Sequence, residues 1–111
     1  MDVKLFYKEF IAKWYSGDTA CPFVQKCRTI LEEEAEFFEM AVKFMRSYAK
    51  PYEAYTTVCD DMFADGIMNM GRLCSLFAFS IVLSKTFPDI QELLVDQLKK
   101  RRGAIEELEK W

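Results

Sequence analysis

The chain contains no histidine, and this absence excludes several kinds of site at once. Histidine is the commonest general base and the commonest metal ligand, so Ser–His and Cys–His couples cannot form. The four cysteines include no Cys-x-x-Cys pair, which leaves a zinc site poorly supported. The glutamates at positions 32, 33, 34 and 36 are spread around a helix and have no partnered nucleophile. We therefore expect neither an enzyme nor a bound metal or other cofactor.

Glycine and proline are scarce, and long uncharged runs are missing. Only four Gly and three Pro leave few turns, which favours long helices over many short strands. The longest uncharged run, residues 73–84, has twelve residues, whereas a membrane span needs about twenty. The first residues, Met1-Asp2-Val3-Lys4, lack the apolar segment of a secretory signal. We expect a soluble cytoplasmic protein without a membrane anchor, whose cysteines are free thiols.

What the chain does contain is a large share of apolar side chains for its size. Its 111 residues, enough for one domain, are 51% hydrophobic and 15% aromatic, which excludes an intrinsically disordered chain. The formal net charge of −3 argues against a nucleic-acid-binding protein. One basic cluster, residues 99–102, fits either a contact with acidic lipid or a partner, or the last turn of a helix. So many apolar residues indicate a dense core or a surface kept for a partner.

Apolar side chains recur at three- and four-residue steps along most of the chain, which is the period of amphipathic helices. Between Leu73 and Leu83 a helix would be apolar or small on every side, so its neighbours must surround it. The sequence therefore predicts a single-domain (1–111) all-α bundle around a central helix at about 70–85. The other predicted helices are 2–15, ended by Ser16-Gly17-Asp18; a long helix at 22–47, with an interruption near 47–51; a short one from Pro51, ended by Asp65-Gly66; one from Asp89, with Glu92 in its first turn, to Gly103; and a last one through Ile105, Leu108 and Trp111.

Two residues at the start of the central helix violate local rules. Gly71 in the first turn costs up to about 1 kcal/mol relative to Ala, and Arg72 places a positive charge where the helix dipole disfavours it. Glycine lets another chain come close, and arginine can form a bidentate pair with a carboxylate. The two residues therefore fit a receptor for an acidic helix that carries a small residue. The alternative is that Arg72 pairs within the chain, with Asp60, Asp61 or Asp65.

The stretch from Phe63 to Arg72 resembles the first homology motif of the Bcl-2 family of apoptosis regulators. That motif reads Phe-x-Asp-Gly, a short spacer and Asn-Trp-Gly-Arg, and it opens the central helix of the family fold. Met70 stands where the family usually has Trp. The second homology motif is not recognisable, and Gly103–Trp111 only occupies its place. A degenerate third motif is similar to four residues of this chain, Leu31, Ala35, Glu36 and Phe38. The resemblance implies a Bcl-2-like helical bundle over roughly residues 22–100.

Members of that family bind the amphipathic BH3 helix of pro-apoptotic Bcl-2 proteins in a surface groove. By position, the resemblance implies that Arg72 pairs with the aspartate of the ligand, Gly71 admits its small residue and Asn69 hydrogen-bonds nearby. It further implies an inhibitor of apoptosis, similar to the compact homologues of large DNA viruses, acting in the host cytoplasm or at mitochondria through its partners. The apolar pockets of the groove would be lined by residues that ordinary core packing explains equally well: Phe38, Val42, Met45, Val58, Met62, Cys74, Ser75 and Phe79.

Two other functions stay open for the same fold. The groove could serve self-association or a non-apoptotic partner, with the methionines at 62, 68 and 70 and exposed aromatics forming the face of a homodimer. A pro-death effector would instead insert its central helical hairpin into a membrane. The missing anchor and the degenerate third motif argue against that effector. Peptide binding, measured together with oligomeric size, separates the first alternative from the inhibitor, and release of liposome contents tests the second.

Overall fold

Seven α-helices form the secondary structure of residues 1–17, 20–48 and 50–110, which are the residues described by the structure, a computed structural model. These residues contain no β-strand, so the predicted all-α class is confirmed. The expected stop at Asp18 and the expected helical position of Trp111 lie outside the described residues. The helices are α1 (Val3–Ser16), α2 (Pro22–Glu33), α3 (Ala35–Ser47), α4 (Pro51–Met62), α5 (Met70–Ser84), α6 (Ile90–Lys100) and α7 (Ala104–Leu108).

Local signals in the sequence set the ends of the first helices. The Asp2 carboxylate accepts a hydrogen bond of 3.1 Å from the Leu5 N–H, and α1 ends before Gly17, whose φ is 73°. Pro22 and Pro51 occupy the first positions of α2 and α4, where the missing N–H carries no cost. All three helices therefore begin within one residue of their predicted positions.

The prediction of one long helix at 22–47 is wrong, because the chain bends at Glu34 and forms α2 and α3. Glu34 has φ −114° and ψ 29°, outside the helical region, although its N–H still bonds to the Ile30 carbonyl at 2.9 Å. The run of glutamates from 32 to 36 places like charges one turn apart and at the C-terminal end of α2, where the dipole disfavours them. The bend converts that end into the first turn of α3, where negative charge is favourable. The predicted interruption near 47–51 is confirmed.

The predicted central helix is confirmed as α5, which ends one residue earlier than expected. It packs against α2, α3, α4, α6 and α7. Helix α1 also reaches it, since the centre of the Phe77 ring lies 5.1 Å from that of Phe10, and the same distance separates it from Phe23 of α2. Neighbours thus surround most of α5, as its apolar sequence requires, and Gly71, Ser75 and Val82 are half-buried on the remaining face. Among the described residues, no helix is both long enough and apolar enough to cross a bilayer.

The chain after α5 differs from the prediction in two details. Helix α6 ends at Lys100, and Gly103, with φ 85°, precedes α7 instead of closing α6. The Asp89 side chain makes no capping bond to α6, because it accepts a hydrogen bond of 3.1 Å from the Tyr52 hydroxyl. In the basic cluster, Lys99 and Lys100 form the last turn of α6, which agrees with the helix-end interpretation.

Candidate functional site

The turn between α4 and α5 brings Asp65 beside the first turn of α5. Gly66 has φ 74°, a conformation that residues with a side chain rarely adopt. Asp65 Oδ1 accepts a hydrogen bond of 3.0 Å from the Ile67 N–H, which fixes the turn. Asn69 then caps α5, since its Oδ1 accepts a hydrogen bond of 2.9 Å from the Arg72 N–H. The side-chain oxygen of Asn69 is therefore engaged in capping α5, and its side-chain NH2 group remains for a hydrogen bond to a ligand.

Arg72 is paired within the chain, and its partner is Asp65. Nη2 lies 2.6 Å from Asp65 Oδ2 and Nη1 lies 3.2 Å from Oδ1, so the contact is bidentate. Nη1 also donates to the Met62 carbonyl. The guanidinium lowers the pKa of the Asp65 carboxyl because it hydrogen-bonds to the charged form. The side chain of Arg72 is 33% exposed and that of Asp65 is 46% exposed, so the pair is open to water and to exchange with another carboxylate.

Gly71 is not required by the packing of the chain. A Cβ built on it would lie 3.4 Å from Asn69 Oδ1, which is ordinary van der Waals contact, and its φ is not positive. The fold could therefore carry alanine here, with a better helix propensity. What the missing side chain does provide is space outside the helix, on the side that faces a surface hollow.

That hollow has a volume of about 370 Å³, and we call it the Arg72 hollow. It brings together five of the residues that the resemblance implies as a binding site. Two apolar side chains of α2 and α3 that complete it, Ile30 and Phe37, were not predicted, because both lie off the apolar stripe that the residue spacing indicates. The lining consists of the five predicted residues Met62, Asn69, Gly71, Arg72 and Ser75, and of Ile30, Glu34 and Phe37.

A second hollow, of about 400 Å³, lies along the following residues of α2 and α3, and we call it the Val42 hollow. Two of the predicted residues, Phe38 and Val42, belong to it. Its rim carries both signs of charge, from Glu39, Lys43 and Arg46. An amphipathic helix fits such a surface, because its anchoring side chains enter apolar hollows while its polar side chains meet a charged rim. The other lining residues are Leu31, Ala35 and Val82.

The four remaining predicted residues lie in the core and line neither hollow. Phe79 stacks with Phe38 at 6.2 Å and with Tyr55 at 5.8 Å, and it is fully buried. Tyr55 and Ser80 share a buried hydrogen bond of 2.9 Å, and Ser80 also donates to the Leu76 carbonyl. Packing inside the protein accounts for all four, as the core interpretation in the sequence analysis allowed: Met45, Val58, Cys74 and Phe79.

The cysteines are all free thiols in the structure, as expected from the sequence. Cys27, Cys59 and Cys74 are buried, and burial raises the pKa of Cys27 and raises that of Cys59 to about 12. The Cys27 and Cys59 thiols are therefore protonated and unreactive at neutral pH, whereas the hydrogen bond with Cys27 lowers the pKa of Cys74. Among the described residues, no three Cys, Asp or Glu side chains are grouped closely enough to hold a metal ion.

A larger hollow, of about 590 Å³, lies between α1, α2 and residues 109–110. Its floor is aromatic, with Phe6, Phe10 and Phe23, but it contains none of the residues that the sequence predicts for a site. The smaller Arg72 hollow is the better candidate for a binding site, because polar groups that can orient a ligand lie beside apolar walls there. These are the Arg72 guanidinium and the Asn69 amide, next to Gly71, which has no side chain. Comparison of the chain with protein-family models, with curated proteins and with solved structures gives no match.

Proposed function

We propose that this protein binds the BH3 helix of pro-apoptotic Bcl-2 proteins on the surface formed by the Arg72 and Val42 hollows, and that it thereby inhibits apoptosis. The observation that carries the proposal is the grouping of Asn69, Gly71 and Arg72 at one open hollow with apolar walls. The fold does not need Gly71, and the helix dipole disfavours Arg72 at that position. A ligand that uses both residues explains why the chain carries them.

Binding in this mode requires the ligand's aspartate to share or replace Asp65 at the Arg72 guanidinium. Since both side chains of the internal pair are partly exposed, water can replace either partner while the ligand's carboxylate enters. The new pair forms beneath a bound helix, where water is excluded and the same contact is stronger. The small residue of the ligand approaches Gly71, and its apolar residues contact Ile30, Phe37 and Met62.

The decisive measurement is titration of the purified protein with a panel of pro-apoptotic BH3 peptides. Truncating one partner of a desolvated charge pair costs about 2 kcal/mol or more, so Arg72→Ala should weaken binding about thirtyfold. Arg102→Ala is the matched control, because Arg102 is exposed and lies outside both hollows. Binding of no peptide would refute the proposed function, and equal binding by Arg72→Ala would refute the assigned geometry alone.

A further inference from the structure

Helix α3 has a second apolar face, which the protein leaves uncovered. One face, with Phe38, Ala41 and Met45, is buried in the core. The other carries three large side chains that are 45%, 70% and 41% exposed: Phe37, Met40 and Phe44. We call these three residues the α3 stripe. Exposed apolar residues scattered singly need no explanation, but three on one helical face mark a surface for a partner.

The spacing of the α3 stripe matches that of helices that pair with each other. Steps of three and four residues separate Phe37, Met40 and Phe44, as in the apolar seam of a two-stranded coiled coil. Tyr48 extends the seam at its C-terminal end, since its ring lies 5.5 Å from that of Phe44 and it is 46% exposed. The surface therefore fits a helix of similar length and similar apolar spacing.

The charges beside the stripe identify that helix as a second copy of α3 in antiparallel orientation. Glu36 and Lys43 are seven residues apart, so they flank the same side of the stripe, four residues before Met40 and three residues after it. With Met40 on a two-fold axis, Glu36 of each copy lies within one residue of the level of Lys43 of the other, which gives two opposite-charge contacts. In a parallel pair the same side chains would face Ala41 and Tyr48, without charge pairing.

We infer that this protein forms a homodimer through the antiparallel pairing of two α3 stripes. Among the described residues of one chain, the ion pair of Lys43 is a contact of 3.8 Å with Glu39; both side chains are exposed, so this pair does not prevent a contact across the dimer. Helix α3 has thirteen residues, about 20 Å, so the shared area is small and the dimer exchanges readily. Phe37 belongs both to the stripe and to the Arg72 hollow, so dimerisation and occupation of that hollow exclude each other.

Charge reversal tests the orientation and the partner together. Sedimentation velocity of the full chain over a wide concentration range should show a monomer–dimer equilibrium. In a dimer of Lys43→Glu, or of Glu36→Lys, positions 36 and 43 carry the same charge, so both contacts across the dimer become repulsive. Each substitution should raise the dissociation constant of the dimer about tenfold. An equimolar mixture of the two variants restores opposite charges and should dimerise at least as tightly as the unmodified chain. Lys8→Glu, on the exposed side of α1, changes the net charge by the same amount as Lys43→Glu and should leave dimerisation unaltered.

A second variant tests the apolar contact without relying on charge. Met40→Ser removes the side chain on the two-fold axis and should abolish the dimer, while thermal unfolding and helical circular dichroism stay unchanged because Met40 is mostly exposed. A chain that is monomeric at every concentration would overturn the inference. So would a dimer that Met40→Ser leaves intact, or one that the mixed charge variants fail to restore. None of these outcomes depends on whether a BH3 peptide binds.

Discussion

Arg72 and Arg101 pair with an aspartate at almost the same distance, 2.6 and 2.7 Å, yet their surroundings differ. Arg101 is 15% exposed, lies 4.6 Å over the Phe63 ring, and donates from Nε and Nη2 to Gln97 Oε1 at 3.1 and 2.7 Å. Arg72 is 33% exposed, also donates to the Met62 carbonyl, and lines a hollow of about 370 Å³, whereas the hollow that Arg101 lines has about 260 Å³. The length of an ion pair therefore does not separate a structural arginine from one that a ligand can use. What separates them is the set of contacts on the other sides of the guanidinium.

The largest difference between the two arginines should appear in stability. Arg101→Ala removes the cation–π contact with Phe63 and leaves the buried Gln97 without these bonds, which should cost about 2 kcal/mol of unfolding free energy. Urea denaturation monitored by circular dichroism measures the loss. Arg102→Ala is the control and should change the unfolding free energy by less than about 0.5 kcal/mol.

The same variant also tests the different roles assigned to Arg101 and Arg72. Arg101→Ala should leave BH3-peptide affinity unchanged under conditions where the variant is folded. Arg72→Ala should weaken the same affinity about thirtyfold. If both variants lost affinity to the same extent, the assignment of Arg101 to a purely structural contact would fail.

Asp65→Asn should strengthen peptide binding. The substitution removes the charge that competes for Arg72 and keeps an oxygen that can accept from the Ile67 N–H. Because the competing ion pair is exposed to water, affinity should rise only modestly, up to about fivefold in a peptide titration. Asp61→Asn, the same change on a neighbouring exposed carboxylate, should leave affinity unaltered. Weaker binding by Asp65→Asn would show that Asp65 contributes to the site rather than competing with it.

Gly71→Ala should separate folding from binding at the same hollow. The helix gains propensity and finds ordinary contact for the new Cβ, so the unfolding free energy should rise by up to about 1 kcal/mol. Peptide affinity should fall at the same time, because the Cβ fills space at the Arg72 hollow. Gly66→Ala is the comparison, since φ 74° makes alanine strained there and should lower stability instead. An affinity unchanged by Gly71→Ala would remove Gly71 from the binding site.

The smallest effect concerns pH. The pKa of Asp65 is lowered in the folded protein, so its pair with Arg72 stabilises the fold above the ordinary value of 3.8 and loses that effect as pH falls through the lowered pKa. The stability difference between the unmodified chain and Asp65→Asn should therefore be present at neutral pH and vanish in strong acid. Thermal unfolding of both proteins across this range measures it. A difference that persists in strong acid would assign it to something other than the ion pair.

The central helix could be predicted from the sequence because its composition leaves one arrangement open. A helix that is apolar on every side must be enclosed, and the bounds of α5 follow from the cap at Asn69 and from Phe87-Pro88, which breaks the helix. The start of the site was also predictable, since Gly71 and Arg72 oppose local helix preference. The partner of Arg72 was narrowed to three aspartates, and only the turn at Gly66 decides among them.

The bend at Glu34 and the distribution of buried positions could not be predicted in the same way. Residue spacing predicts an apolar stripe along a straight helix. It does not show where repulsion between like charges makes an interrupted helix more stable than a continuous one. With α3 as a separate helix, Phe37 lines the hollow although it lies off the predicted apolar stripe. The half-exposure of Ser75 beside buried Cys74 likewise depends on how α2 packs on α5, which periodicity does not specify.

The buried contact between Tyr55 and Ser80 has a consequence for how α5 is oriented. Hydrophobic burial is non-directional, so a helix that is apolar all round can rotate about its axis with little change in buried apolar area. The Ser80 hydroxyl breaks that equivalence, because rotating α5 away from the observed orientation breaks its hydrogen bond of 2.9 Å with the Tyr55 hydroxyl of α4 inside the core. One hydrogen bond inside the bundle thereby fixes the direction in which Gly71 and Arg72 face, two and a half helical turns away.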